Sequence, residues 1–317
     1  MILFFPFDLL SHNLRCLQLA KAFQNDITVL FPESKKYTSF ISEQGIKTFP
    51  YHTIPSDMVI SSARDFSFSW IRYDLLERSF LSQIDIISKH KPTLVVGDAD
   101  FTLRLAAAFC KVPFVSIVNG YMTNYYCRTR RLHPKHPGYK YRYLFPPFIF
   151  QHIITYKEKT ALKKVHEPFQ ALAQKYNLRM KKNLLEELEG DITLIADIPE
   201  MFPQKTLPDT FHFIGPLFHE ENNYNHNYSD LLSSSKANIV VSMGSTGNFE
   251  KLIMLKDPIF SEFNFIMTGC SDTILNAGHI HRIPFANLSL LLKQTDLLIC
   301  HAGNGTIYHA LKNNCSR

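Results

Sequence analysis

Three places in this 317-residue chain hold residues whose type and spacing could do chemistry. The first is Ser11-His12, a histidine just after an apolar opening run. An imidazole can take and return a proton near neutral pH, which suits a general base. The second is Gly97-Asp98-Ala99-Asp100, two carboxylates flanking one residue. The third is a pair of late glycine turns, Gly244-Ser245-Thr246-Gly247 and His301-Ala302-Gly303-Asn304-Gly305-Thr306. A glycine turn leading from a strand into a helix leaves backbone N–H groups and a positive dipole end facing a crevice, where a diphosphate binds. Each place has a plainer reading when taken alone. His12 could be a polar surface residue or cap, Asp98 the N-cap of the helix after it, and the glycines suppliers of positive φ.

The elements around these residues read as alternating strands and helices. Short apolar runs at 1–5, 27–31, 46–50, 93–97, 112–118, 191–196 and 211–214 are of the length and composition of buried parallel strands. Helical spacing of apolar residues recurs at 14–23, 33–44, 71–90, 101–110, 148–176 and 183–189, while 51–69 reads as irregular. The stretch 215–237 turns polar and rich in Asn and Ser, the composition of a linker. A second α/β pattern follows, with strands at 238–242, 263–267, 279–283 and 297–300 and helices at 249–256, 287–293 and from 307 onward. The expected class is α/β, with two doubly wound parallel-sheet domains at 1–214 and 238–317. In such sheets all three candidate places fall at carboxyl ends of strands, where ligands bind.

The totals set bounds. The length allows two domains with separate cores. The six cysteines show no CxxC pair and no His/Cys metal spacing, so reduced core thiols in a cytoplasmic protein are expected. The apolar N-terminus lacks a basic flank and reads as a buried strand rather than a leader, and no run reaches the ~18–20 apolar residues of a membrane span. The net charge of +6 is uneven, since no acidic residue occurs from Phe101 to Lys157. The long loop 119–147 interleaves six tyrosines with Arg128, Arg130, Arg131 and Lys135. It reads as a flap with no ligand, or as a surface for a hydrophobic acceptor and an anionic membrane.

Taken together, the segments SHNLRCLQLAKAF, LVVGDADFTLRLAAAFCKVPFVSIVNGY, NIVVSMGST and IPFANLSLLLKQTDLLICHAGNGTIYHAL resemble the bacterial UDP-glycosyltransferase-like branch (family 1/28) of the GT-B glycosyltransferases. That resemblance implies two facing Rossmann-like domains, the first holding the acceptor and the second a nucleotide-sugar. By position it implies His12 as the base that deprotonates an acceptor hydroxyl, with Asp98 fixing its tautomer, and transfer with inversion. It implies diphosphate contacts from Ser245, Thr246, His301, Gly303, Asn304, Gly305 and Thr306, and acceptor contacts from Asn119, Tyr121 and Tyr125. No cofactor or metal is implied beyond the nucleotide-sugar co-substrate, and no nucleic-acid partner. Asp98-Ala99-Asp100 does spell the DxD of metal-dependent GT-A enzymes, but lies in the half that resembles an acceptor domain.

Two departures from that pattern bear on activity. Asn13-Leu14-Arg15 stands where small and proline-containing residues are usual, and Ala302 where Gly or Cys is frequent. The family's signature also continues through a glycine–proline turn and an acidic-Gln pair, which this sequence lacks after Leu311. The sequence reading therefore expects a C-terminally truncated second domain. Its rival functions are a truncated, inactive relative and a GT-B sugar-nucleotide epimerase.

Overall fold

A computed structural model describes residues 1–65, 67–128, 131–218, 228–244, 247, 249–269, 275–284 and 286–315. The chain divides into two compact units, Met1–Gly215 and Pro216–Arg317.

The first unit is built on seven parallel strands: β1 (Ile2–Pro6), β2 (Val29–Pro32), β3 (Lys47–Phe49), β4 (Leu94–Asp98), β5 (Phe114–Val118), β6 (Ile192–Ile195) and β7 (Phe211–Phe213). They lie in the order β3-β2-β1-β4-β5-β6-β7. All five residues of β1 are buried, as a strand covered on both faces requires. The helices are α1 (Leu10–Lys21), α2 (Thr38–Glu43), α3 (Ser56–Arg64), α4 (Tyr73–His90), α5 (Leu103–Cys110), α6 (Pro147–Lys164) and α7 (Glu167–Lys175). Leu76, Phe80, Ile86 and Ile87 of α4 join Leu103, Leu105 and Ala106 of α5 in one core with Leu3, Phe5 and Val95 of the sheet.

Two differences from the sequence reading have local causes. The stretch 51–69 is not wholly irregular, because α3 lies in it. Its buried residues are Ser56 and Ser62, so no apolar stripe announces it. The helical stretch expected over 148–176 is made of two helices, α6 and α7, separated at Val165 and His166. Pro168 sits in the first turn of α7, where its missing N–H costs nothing.

The second unit holds four parallel strands: β8 (Asn238–Ser242), β9 (Asn264–Thr268), β10 (Ile280–Ile283) and β11 (Leu297–Cys300), in the order β10-β9-β8-β11. Alternate residues feed two cores. Ile239, Val241, Phe265 and Met267 pack on one face, and Val240 and Ile266 on the other with Leu291 and Leu292. Leu291 ends α8 (Leu288–Leu291), and α9 (Asn304–Lys312) follows β11. Residues 249–256 form a 3-10 helix rather than the α-helix expected. Tyr228 is buried in this unit, its hydroxyl accepting from the Asn287 N–H at 2.8 Å. Strand β8 is buried throughout, whereas β11, at the sheet edge, is half-buried to exposed.

Candidate functional site

Strand order reverses between β1 and β4. The chain runs from β1 to β2 and β3 on one side, and from β4 to β5, β6 and β7 on the other. A doubly wound sheet opens a ligand crevice beyond the carboxyl ends of the strands at such a switch point. Here Pro6 of β1 pairs with Asp98 of β4, and the Phe7 N–H donates to the Asp98 carbonyl at 2.8 Å. The two turns leaving these strands are thereby held side by side.

His12 is the third residue of α1, and Arg15 follows three residues later on the same helical face. Both reach back to Asp98, which is fully buried. His12 Nδ1 lies 2.8 Å from Asp98 Oδ1. Arg15 Nε donates to Oδ2 at 2.8 Å, and Arg15 Nη2 to Oδ1 at 2.5 Å. Arg15 Nη1 donates to Asn119 Oδ1, and Asn119 Nδ2 donates to the Tyr121 hydroxyl at 3.0 Å. Oδ1 thus serves both neighbours, and a proton on Nδ1 satisfies the His12–Asp98 contact. That tautomer leaves Nε2 as the basic nitrogen. Phe7 packs edge-on to the imidazole, with ring centroids 5.9 Å apart.

The charges decide the state of Asp98. Burial works to push its carboxyl up, but Arg15 and then His12 more than offset this and hold it below the usual range. Burial likewise works to lower Arg15, and Asp98 outweighs it, raising the guanidinium. Asp100 behaves in the opposite way. Burial raises its carboxyl despite hydrogen bonds from Tyr51 (2.7 Å) and Gln83 (2.7 Å). Ala99 between them takes φ +55°, so the two carboxylates leave the strand toward different partners. Asp98 is committed to His12 and Arg15, and Asp100 to the Tyr51–Gln83–Thr102 network. Among the described residues no group of three His, Cys, Asp or Glu could hold a metal.

The structure therefore brings His12, Asp98, Asn119 and Tyr121 together. Tyr125 is not part of that chain of contacts: its ring packs against Phe211, centroids 5.2 Å apart, in a small core with Val118 and Leu188. Arg15 is the participant that sequence reasoning missed, although its i+3 spacing from His12 was readable.

A second His–carboxylate–Arg cluster lies elsewhere in the same unit. His166 Nε2 is 2.6 Å from Glu187 Oε1, and Arg104 Nε donates to Glu187 Oε2 at 2.7 Å. His166 has no exposed surface, and its Nδ1 has no hydrogen-bond partner among the described residues. Nothing in the sequence pattern singled these residues out.

In the second unit the reversal falls between β8 and β11, whose final residues Ser242 and Cys300 are paired. The turns after these strands hold Gly244 and residues 301–303. Ser245 and Thr246 lie outside the described residues. Gly303 is the N-cap of α9, and Asn304, Gly305 and Thr306 form its first turn, the part of a helix whose N–H groups take no partner within the helix itself. His301 and Gly303 are exposed, and a Cβ built on Gly303 or Gly305 meets nothing within 4 Å. The positive φ of this turn is taken by Ala302 (+58°), whereas Gly303 is at −64°. A Cβ in that left-handed conformation costs about 1–2 kcal/mol, a cost that a glycine at this position would not carry. Gly244, in contrast, does supply a left-handed φ, +59°.

This pair of doubly wound sheets defines the class: the fold is GT-B, as the motif pattern led one to expect. Its solved likenesses include spinosyn forosaminyltransferase SpnP (TM-score 0.63, 17% identity, covering 98% of this chain and 78% of that one). They also include glycosyltransferase VinC in complex with dTDP (TM-score 0.59, 14% identity, covering 98% and 78%). No protein-family model matches the chain. In sequence it is 22% identical over 250 residues to a PGL/p-HBAD biosynthesis rhamnosyltransferase of Mycobacterium bovis (75% of this chain, 52% of the relative). It is 23% identical over 255 residues to an inactive PGL/p-HBAD biosynthesis glycosyltransferase of the same organism (75% and 64%). The chain thus spans about half to two-thirds of the length of these curated relatives.

Proposed function

We propose that this chain supplies the acceptor site and the diphosphate-binding turn of an inverting glycosyltransferase. The donor is a UDP- or dTDP-sugar and the acceptor a hydroxyl of a small or lipid-like molecule. The observation that carries this reading is the His12–Asp98 pair at the switch point of the first sheet, its Nε2 making no hydrogen bond among the described residues. The acceptor hydroxyl gives its proton to His12 Nε2 as its oxygen bonds to the anomeric carbon. The bond from that carbon to the diphosphate breaks on the opposite face, and the diphosphate leaves with the electron pair. The N–H groups at Asn304, Gly305 and Thr306, with the His301 side chain, receive the growing phosphate charge. Fixed donors of this kind lower such a barrier by several kcal/mol. VinC, of the same fold, is known with dTDP bound, which supports a nucleoside diphosphate as ligand.

The reading extends to a membrane surface. Residues 143–149, Tyr-Leu-Phe-Pro-Pro-Phe-Ile, are all exposed, led by Tyr143 (77%), Leu144 (69%) and Phe148 (66%). Lys140 and Arg142 precede them, and α6 carries exposed Lys157, Lys159, Lys163 and Lys164 and no buried residue. Apolar side chains beside cations suit an anionic bilayer. The contact we propose therefore centres on residues 140–164, later than the loop 119–147 as a whole. It also suits a lipid-like acceptor. Flotation with anionic vesicles is expected to carry the protein up and neutral vesicles to do so less; flotation with neither removes the membrane from the proposal.

Calorimetry with UDP, dTDP and their sugars gives the first test of function. Binding supports the donor turn, and no binding favours the non-catalytic reading that the inactive mycobacterial relative brings to mind. Where transfer is measured, His12→Ala is expected to abolish it and leave nucleotide binding unchanged. Undiminished transfer would take His12 out of the mechanism.

A further inference from the structure

Arg15 occupies the centre of the candidate acceptor site, yet no step of the proposed transfer uses it. Its guanidinium forks onto both oxygens of Asp98, and its third nitrogen is held by Asn119. Only 13% of its side chain is exposed, so it is consumed by these contacts rather than presented to a ligand. Its Nη2 lies 3.0 Å from His12 Nδ1, the third side of a triangle whose apex is Asp98 Oδ1.

A buried carboxylate must be balanced by a cation, because an uncompensated charge at low dielectric is costly. Were His12 the sole neighbour, the balancing cation would be an imidazolium, and Asp98 would favour protonation of the ring. Arg15 supplies that balance permanently, since a guanidinium does not release its proton in this pH range. A proton added to His12 then makes a second cation against one carboxylate, beside a like charge about 3 Å away. Other charged groups do not restore the balance. Asp8, in the turn before α1, acts on Lys36 and Tyr37. The remaining neighbours from the packed elements are Cys16 of α1, whose thiol burial and then Asp98 push well up, and Tyr121, which acts on Arg15. Phe7, edge-on to the imidazole, is uncharged.

We propose that Arg15 is a positioning residue that compensates Asp98 and so holds His12 as a neutral imidazole in the Nδ1–H form. This deepens the reading of His12 as the base of a glycosyl transfer. It also stands apart from that reading, because the state of the imidazole is measurable without any sugar donor.

The test is the pH dependence of diethyl pyrocarbonate modification at His12 Nε2, read by mass spectrometry of the peptide, with a spectroscopic check of folding. In Arg15→Met the midpoint is expected to move up by about one pH unit, slowing modification on the acid side about tenfold. Arg15→Lys keeps the charge and is expected to stay near the wild type, which a purely structural role would not produce. An Arg15→Met profile that coincides with the wild type overturns the proposal, as does an Arg15→Lys profile that follows Arg15→Met. Should Arg15→Met fail to fold, nitrogen-15 NMR of the wild-type chain decides. A slowly exchanging Arg15 Nε–H together with an Nδ1-protonated His12 upholds it; an Nε2-protonated His12 or a rapidly exchanging Arg15 Nε–H overturns it. Failure to detect transfer with any donor would leave each of these readings intact.

Discussion

The first unit contains the same three-part chemistry twice. His12, Asp98 and Arg15 meet at the carboxyl end of the sheet, and His166, Glu187 and Arg104 meet beside α5 and α7. In both, one carboxylate takes a guanidinium and an imidazole; Glu187 gives one oxygen to each, whereas Arg15 reaches both oxygens of Asp98 and shares one with His12. What separates them is which ring nitrogen is spent and what lies beyond it. His12 commits Nδ1 and keeps 14% of its side chain in contact with solvent. His166 commits Nε2, is wholly enclosed, and leaves Nδ1 without a partner among the described residues. A histidine–carboxylate pair is therefore not a base by composition. It becomes one where the far nitrogen faces a place that a reactant can enter, and elsewhere it is a clasp between elements.

The contrast can be broken most directly at the carboxylates. Glu187→Gln leaves the buried Arg104 without its counter-ion and is expected to cost about 3–5 kcal/mol by urea denaturation. Asp98→Asn does the same to Arg15, but His12 touches solvent where His166 does not, so a loss near the lower end, about 3 kcal/mol, is expected. Equal losses would mean that solvent contact does not distinguish the clusters. At the histidines the difference widens. His166→Ala removes a buried ring and a hydrogen bond to Glu187, and is expected to cost about 2–4 kcal/mol with nucleotide binding intact in the folded protein. His12→Ala is expected to cost less, about 1 kcal/mol, because Arg15 still pairs Asp98 and part of the ring reaches solvent. A His12→Ala loss as large as that of His166→Ala would make His12 a clasp as well.

Acid titration sharpens the picture with smaller effects. The folded-state carboxyl of Asp98 lies below its unfolded value near ~3.9. Its contribution is therefore complete above that pH and disappears as pH falls through the folded value. Asp100, two residues on, is raised by burial, so its sign is reversed. Its share of stability is complete below the unfolded value and declines as pH rises through the folded one. Denaturation series from pH 3 to pH 7 should show Asp98→Asn flattening the acid loss, and Asp100→Asn producing a modest rise in stability at the upper end relative to the wild type. The same slope in both variants would contradict the opposed environments of the two carboxyls.

Much of this fold was readable from local pattern. Runs such as Thr93-Leu-Val-Val-Gly97 and Asn238-Ile-Val-Val-Ser242 are apolar because both faces of a parallel strand are covered, and their ends fall where the structure places β4 and β8. The turns carrying His12, Asp98 and Gly303 follow from the same pattern. What escaped was set by contacts remote in sequence. Helix α3 buries serines, so its periodicity was silent. Tyr125 was assigned to an acceptor by its aromatic neighbours, but Phe211, far along the chain, gives it a packing partner. Arg15 stood out as a departure from a family pattern, while its bond to a carboxylate 83 residues away could not be read from that departure alone.

The two groups that touch Asp98 from α1 ride on one turn of one helix. Their mutual spacing is set by the helix and does not depend on the sheet. Their common distance to Asp98, however, depends on how far α1 lies from β4. A small slide or tilt of α1 against the strand ends lengthens the hydrogen bonds of Arg15 and His12 at the same moment. The two contacts are thus coupled through the helix: a movement of α1 cannot loosen one without the other.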